Sequence, residues 1–231
     1  MQPVEDAKRR AARAAIAELS GEVIGLGSGS TAAIFVEELA SYLGGAGKGR
    51  TLVGVPTSEA TRRLAGSLGI PLLADEGPWT IDVNVDGADE VSDGLDLIKG
   101  GGGAHAREKI VNFASRKNVI IVDASKMSRR LGEKRAVPVE VLPFAHKTTQ
   151  EKLARYGDAR LRLRDGSPVR TDAGNLLYDL FVSPIDDPPG LDAALHAIPG
   201  VVESGLFVAR ADVVIVSSEA SPDGVRRIAK G

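Results

Sequence analysis

The amino-acid sequence predicts an α/β fold: a mostly parallel sheet with helices on both faces, carrying a smaller inserted α+β domain. Three observations predict it. Apolar runs such as "EVIGL", "TLVGV" and "KNVIIVD" are bounded by turn residues. Amphipathic stretches at helical spacing follow the first two. From about Val137 the rhythm changes to strand, helix, two strands, helix, strand. Strands that alternate with helices pair in parallel, because each helical crossover returns the chain to the same end of the sheet.

Residues 6 to 19 repeat alanine, isoleucine and leucine at helical spacing, with Lys8, Arg9, Arg10 and Arg13 between them, and read as an opening helix. "EVIGLGSGSTAAIFVEELASYL" then reads as a strand, a glycine-serine turn and a helix. "TLVGVPTSEATRRLAGSLG" repeats that unit with a proline-containing loop. "IDVNVDGADE" is a strand that runs out into acidic residues, and "KNVIIVDASK" is a further buried strand. This series is Rossmann-like, and its ligands are expected outside the carboxyl ends of the strands.

The later segment reads "VPVEVL", "HKTTQEKLARYG", "ARLRLRDGSPVRTDAGNLLYDLFV", "GLDAALHAI" and "VVESGLFV", a ferredoxin-like βαββαβ order with two strands and a turn in its third piece. The expected division is a catalytic α/β domain over 1–132 and 206–231, with the smaller domain over 133–205. A last strand, "ADVVIVSS", and a short helix, "DGVRRIAK", close the chain.

Composition narrows the function. The 231 residues are 43% hydrophobic and 26% charged with a net charge of −2, a balance that favours a packed core over disorder. A nucleic-acid backbone calls for a basic excess that is missing here, so no nucleic-acid partner is expected. The absence of cysteine removes disulfides, thiolate metal sites and cysteine nucleophiles and fits a reducing, cytoplasmic location. The N-terminal run is charged where a secretory signal is apolar, and no window approaches the roughly 18 apolar residues of a membrane span.

Four motifs carry the chemistry. "GLGSGSTA" lies at a strand-to-helix turn, where backbone N–H groups and the helix dipole suit a phosphate, and Ser28, Ser30 and Thr31 add hydroxyls. It matches neither the dinucleotide fingerprint nor the Walker A loop. The same residues also serve a plain turn with a hydroxyl cap on the helix. "DVNVDG" opens like a calcium loop, but Asp93 stands where a bidentate glutamate is needed and a strand precedes it, so no metal is expected there. The strand alternation instead leaves Asp86 and Asp89 at its exit.

"IKGGGGAHAREKI" places Lys99 before four glycines and Glu108 at the start of a helical run. Glycines suit a backbone that must approach a ligand closely or take positive φ; the same residues also describe a flexible linker. "IIVDASK" brings Asp123 and Lys126 to a strand exit. His105, His146 and His196 share no ligand spacing, so neither zinc nor a histidine base is expected.

If these strand exits share one pocket, a phosphate cradle with two aspartates, a lysine and a glutamate suits proton transfer on a sugar phosphate. Aldose–ketose isomerisation needs a carboxylate to carry a proton between adjacent carbons and a cation to hold the enediolate oxygen. Burial is expected to raise the pKa of such a base toward the working range.

The ordered set "GSGSTA", "VPTSEAT", "VDGADEV", "LIKGGGGAHAREKI", "VDASK", "PVEVLPFA", "TDAGNLLYD" and "IPGVVESGLF" resembles the type A ribose-5-phosphate isomerases over essentially the whole chain. The resemblance implies a cofactor-free and metal-free interconversion of ribose 5-phosphate and ribulose 5-phosphate, in the non-oxidative pentose phosphate pathway, usually by a homodimer or homotetramer; a homodimer is expected. It also implies roles. Glu108 takes the place of the proton-shuttling base, Asp86 and Asp89 of the residues for ring opening and hydroxyl contacts, and Lys99 of the residue that steadies the enediolate. Ser28, Gly29, Ser30 and Thr31, the stretch Asp86, Gly87, Ala88 and Asp89, the backbone of Gly100, Gly101 and Gly102, and Lys126 fall where substrate is bound. Lys8 is the candidate match for an N-terminal basic residue at the phosphate. Ser28 replaces a threonine common in relatives and keeps the hydroxyl; "GGGGAHA" replaces the more usual "GGGAALT" and keeps the Lys99-to-Glu108 spacing.

Two other classes share parts of this pattern. Sugar-phosphate sensor domains of transcription regulators need a DNA-binding helix-turn-helix, and only one short helix precedes the first strand. Acyl-coenzyme A transferases of related architecture use a glutamate nucleophile.

Overall fold

The computed structural model describes residues 2–217 and 224–230. The chain forms two compact units, Met1–Gly87 with Arg107–Ser125 and Arg210–Gly231, and Ala88–Ala106 with Lys126–Ala209.

The first unit is built on a six-stranded sheet in the order Val225–Ala229, Val213–Ser217, Asn118–Asp123, Val83–Asp86, Val23–Leu26, Val53–Pro56. All neighbours pair in parallel except the edge strand Val225–Ala229, which runs antiparallel to Val213–Ser217. From Val23–Leu26 the chain first goes outward to Val53–Pro56 and then crosses to Val83–Asp86 on the other side. The winding therefore reverses at Val23–Leu26, which opens a crevice beyond the carboxyl ends of that strand and Val83–Asp86.

Helix Ser30–Gly44 buries Ala32, Phe35, Val36 and Leu39, at i, i+3, i+4 and i+7, so one stripe faces the core. Phe35 is completely buried, which contributes roughly 1.5–3 kcal/mol. Helix Gln2–Ile16 buries the small side chains Ala11, Ala12 and Ala15 in the same core, with Ala14 and Ile16 packed partly buried against it. Their size permits close packing, and Arg9 and Arg13 reach Glu38 on the neighbouring helix at 2.6 and 2.9 Å. Ser58 accepts the Thr61 N–H and caps helix Glu59–Ser67.

The second unit contains the expected ferredoxin-like piece. Strands Val137–Val141, Asp158–Leu161, Leu176–Phe181 and Val201–Ser204 form an antiparallel sheet whose spatial order is fourth, first, third, second, with helices His146–Leu153 and Pro188–His196 as the connections. Val137, Val139, Val141, Leu153, Tyr178, Leu180 and Leu195 fill its core. A second sheet in this unit joins Leu206–Phe207, Leu97–Ile98, Glu90–Ser92 and Met127–Ser128. Glu90, fully buried, accepts the N–H groups of Gly132, Lys134 and Arg135 at 3.0–3.2 Å, the donor set that a buried carboxylate needs.

Three local expectations are corrected. "GVRRIA" is not a helix but the edge strand Val225–Ala229: Val225 and Ile228 suit helical spacing, yet pairing with Val213–Ser217 satisfies the backbone. Ser218 and Asp223, which the reading took into the last strand and helix, lie outside the described residues. "VVESGLFV" is two strands in different sheets, divided at Gly205, where a Cβ would lie 2.3 Å from the Lys99 carbonyl oxygen. The expected two strands between 158 and 181 also carry an extra hairpin, Leu163–Arg164 with Ser167–Pro168.

Glu18 joins three segments of the first unit. Its carboxylate accepts from Arg227 and Lys117, both at 2.6 Å. The Arg227 hydrogen bond, aided by Lys117 and opposed by burial, holds its pKa at about 2, below the ordinary 4.5. A depressed carboxylate pKa stabilises the fold above 4.5, and that contribution is lost as pH falls toward 2. Glu18→Gln is therefore expected to lower Tm by a few degrees at pH 7 and to flatten the acid limb of the Tm–pH curve over that window, as measured by calorimetry.

Candidate active site

In the first unit the site begins with the Asp86 carboxylate at the end of strand Val83–Asp86. Asp86 is fully buried, and its Oδ1 accepts the N–H of Ser28 at 3.0 Å and of Gly87 at 2.7 Å. The contact requires a residue without a side chain at position 27: a Cβ on Gly27 would lie 2.1 Å from Asp86 Oδ1. Thus the exits of two neighbouring strands are tied across the crevice where the winding reverses.

The turn that follows leads into helix Ser30–Gly44. Gly29 occupies its N-cap at φ 91°, and no side chain caps the helix. The hydroxyl cap that a plain turn would use is therefore not formed, and the helix begins with its amides and positive dipole end facing outward. Lys8 Nζ donates to Ser30 Oγ at 2.8 Å, adding a cation at this terminus. Gly87 backs onto Thr31, whose Cβ would lie 3.9 Å from a Cβ at 87.

Sequence reasoning missed a set of hydroxyls here. Thr57 Oγ1 lies 2.7 Å from Ser28 Oγ and donates to the Leu26 carbonyl at 3.1 Å; Thr61 Oγ1 donates to the Gly27 carbonyl at 2.9 Å. Both threonines are buried and hold the Leu26 and Gly27 carbonyls. The density of hydroxyls in "PTSEAT", directly after a strand, was the available signal.

Glu108 lies in the first turn of helix His105–Phe113 and is 5% exposed. Beside it in sequence, Arg107 pairs with Glu59 at 2.8 Å.

In the second unit, Asp89 Oδ2 accepts the Gly101 N–H at 2.7 Å, and a Cβ at Gly101 would lie 2.7 Å from Asp89 Oδ1. Lys99 is 3% exposed, with its N–H on the Gly205 carbonyl and its ammonium 5.5 Å from the centre of the buried Phe207 ring. That ring face favours a cation. Gly100 takes φ 100°, and its carbonyl accepts the Gly103 N–H, so the glycines form an ordered turn and not a free linker. A side chain at Gly102 would meet nothing within 4 Å. Ala88 is half-buried in the link between Gly87 and Asp89, and Lys126 ends a short 3-10 turn, also half-buried.

The histidines hold hydrogen bonds within the second unit. His146 Nδ1 lies 2.6 Å from Tyr178 Oη, and His105 Nε2 lies 3.3 Å from the Glu203 carbonyl. His196 meets Glu203 at 2.6 Å through Nε2 and the Asp192 carbonyl at 2.8 Å through Nδ1. Asp192, His196 and Glu203 thus gather ligand atoms within 4.8 Å of one another, a grouping that linear spacing did not reveal. Both ring nitrogens already have partners, on opposite sides of the ring.

Comparison with known proteins decides the family. Residues 53–221 match the family described as ribose 5-phosphate isomerase A (phosphoriboisomerase A). The chain is 48% identical to the ribose-5-phosphate isomerase A of Chloroflexus aurantiacus over 227 residues, covering 97% of this chain and 93% of that one. The chain belongs to the ribose-5-phosphate isomerase A family. Its fold agrees with solved structures of the same family. The enzyme of Methanocaldococcus jannaschii has a TM-score of 0.89 at 42% identity, covering 98% of this chain and 99% of that one. A D-ribose-5-phosphate isomerase in complex with phospho-erythronic acid has a TM-score of 0.92 at 40% identity, with the same coverage.

Gly27→Ala tests the closeness of this packing. The added methyl collides with the Asp86 side chain and with its Cα, 2.6 Å away. Overpacking of this kind costs about 1–3 kcal/mol. The expected outcome is a lower midpoint in urea unfolding together with a loss of isomerase activity larger than the unfolded fraction explains.

Proposed function

We propose that this protein interconverts D-ribose 5-phosphate and D-ribulose 5-phosphate through an enediolate, with Glu108 as the base that moves the proton between C2 and C1. The observation that carries the reading is the family match, which spans the acidic strand exit, the glycine turn and Glu108. The amino end of helix Ser30–Gly44, with Ser28, Gly29, Ser30, Thr31 and Lys8, takes the phosphate, and Lys126 adds a second positive charge. Asp86 and Asp89, with the backbone of Gly87 and Ala88, address the ring oxygen and hydroxyls, so that the sugar opens before proton transfer.

Glu108 then removes the C2 proton of the open aldose. The negative oxygen of the enediolate rests on Lys99, beside the backbone of Gly100, Gly101 and Gly102; the hydroxyl proton of O2 passes to O1, and Glu108 returns the carbon-bound proton to C1 as C2 becomes the carbonyl. Lys99 supplies the positive charge at the developing oxyanion, so the scheme needs neither metal nor cofactor. The domain reading assigns this chemistry to 1–132 and 206–231 and leaves 133–205 as the smaller βαββαβ piece. We also take the working form to be a cytoplasmic homodimer. The family resemblance supports both statements, and sedimentation at assay concentration tests the assembly.

Purified protein is expected to convert ribose 5-phosphate to ribulose 5-phosphate at an undiminished rate after chelator treatment. A folded protein that binds the sugar without converting it would instead be a sensor, and activity that depends on coenzyme A would mark an acyl transferase. Glu108→Gln is expected to reduce turnover by about 10² to 10⁴-fold with little change in substrate affinity, the usual range for a general base. Near-normal turnover would remove Glu108 from this role. Lys99→Ala is expected to lower kcat through lost oxyanion stabilisation; an effect confined to KM would leave it a binding residue only.

A further inference from the structure

Arg162 lies in the second unit, outside every motif that carried the functional reading. Its side chain is 16% exposed, and its fork faces two ways. Nε donates to Asp179 Oδ2 at 2.9 Å, and one terminal nitrogen, Nη2, donates to Asp179 Oδ1. The other, Nη1, donates to the carbonyl oxygens of both Gly100 and Gly101 at 3.0 Å. We propose that Arg162, held by Asp179, is a positioning residue that fixes the peptide planes of the glycine turn so that the Gly102 amide presents to the substrate. The proposal rests on the isomerase reading, which places the substrate on that backbone.

The argument follows from peptide geometry. A trans peptide directs its N–H opposite to its C=O. The Gly100–Gly101 peptide is held from both sides, its carbonyl by Arg162 and its N–H by Asp89 Oδ2 at 2.7 Å. The next peptide has its carbonyl on Arg162 as well, so the Gly102 N–H points away from the guanidinium, at a residue exposed to solvent. Fixing each glycine backbone costs conformational entropy, and glycine has no side chain to lock it. A half-buried cation behind two consecutive carbonyls supplies the lock and polarises the amides as donors. It also keeps the turn in register with Asp89, the carboxylate assigned to the sugar hydroxyls.

Arginine suits this task where lysine does not. The planar guanidinium meets a carboxylate with two parallel N–H groups and still has donors for two carbonyls, whereas an ammonium offers one point charge. An ordinary cross-strand ion pair would need only the Asp179 contact.

The test compares wild type with Arg162→Ala, Arg162→Lys and Asp179→Asn, reading kcat, KM, Tm and the affinity for phospho-erythronic acid by calorimetry. Arg162→Ala is expected to lower kcat/KM by about 10²-fold, the effect of a displacement on the order of 1 Å in a site, and to weaken binding of the analogue. Guanidinium chloride at roughly 50 mM, far below unfolding concentrations, should restore part of the lost kcat/KM in Arg162→Ala, while sodium chloride should not. Arg162→Lys should remain impaired, and Asp179→Asn should show a smaller loss in the same direction without guanidinium rescue.

Wild-type kcat/KM and analogue affinity in folded Arg162→Ala and Asp179→Asn would overturn the proposal. So would a loss that follows Tm alone and does not respond to guanidinium. If Arg162→Ala does not fold, Asp179→Asn and Arg162→Gln carry the same comparison. A wild type that binds the analogue but does not isomerise the sugar would defeat the isomerase reading, while the affinity series would still decide the role of Arg162.

Discussion

The Asp86 carboxylate is the constraint on which the candidate site residues of the first unit depend. A buried carboxylate is tolerated only with donors close at hand, and Asp86 accepts the backbone N–H groups of Ser28 and Gly87. Those donors come from the exits of two strands that neighbour each other because the winding reverses between them. Satisfying the charge thus fixes the turn at 27–29. That turn in turn aims the uncapped start of helix Ser30–Gly44, where Lys8 has gathered. Catalytic and structural demands coincide: the group that orders the backbone is also one proposed to meet the sugar.

The second unit applies the same logic with the opposite polarity. Asp89 holds an amide of the glycine turn, while Arg162 holds its carbonyls. Glu90, the next residue along the chain, is buried and surrounded by three amides of the 132–135 segment. Consecutive carboxylates therefore have different work: Asp89 orders a flexible backbone, and Glu90 anchors the strand that carries it. Conformational entropy makes four glycines costly to order, and contacts from outside the turn meet that cost.

Much of this was legible in the sequence because local rules and global fold agree there. Apolar runs ending in "GSGS" and "DGADE" marked strand exits, and the split βαββαβ order appeared with its connections. What was not legible has specific physical causes. Val225 and Ile228 fit a helical period as well as an edge strand, and only pairing with Val213–Ser217 decides between them. The division of "VVESGLFV" at Gly205 depends on a close approach to the Lys99 carbonyl, which no window of sequence contains. Arg162 sits in "ARLRLRDGS", a stretch that reads only as strand and turn. Its value comes from Gly100 and Gly101, about sixty positions away. The grouping of His196 with Asp192 and Glu203 likewise arises from a helix and a strand brought side by side.

The central claim is that a carboxylate, Glu108, carries the proton between two carbons of the opened sugar. The most direct measurement is proton NMR of the ribose 5-phosphate–ribulose 5-phosphate mixture equilibrated with the protein in deuterium oxide. A carboxylate that holds the proton between removal and return exchanges it with solvent, so deuterium is expected at C1 of the ketose and C2 of the aldose, and not with Glu108→Gln over the same time. Full interconversion with no deuterium at either carbon after prolonged equilibration would contradict the account, because hydrogen would then move directly from carbon to carbon.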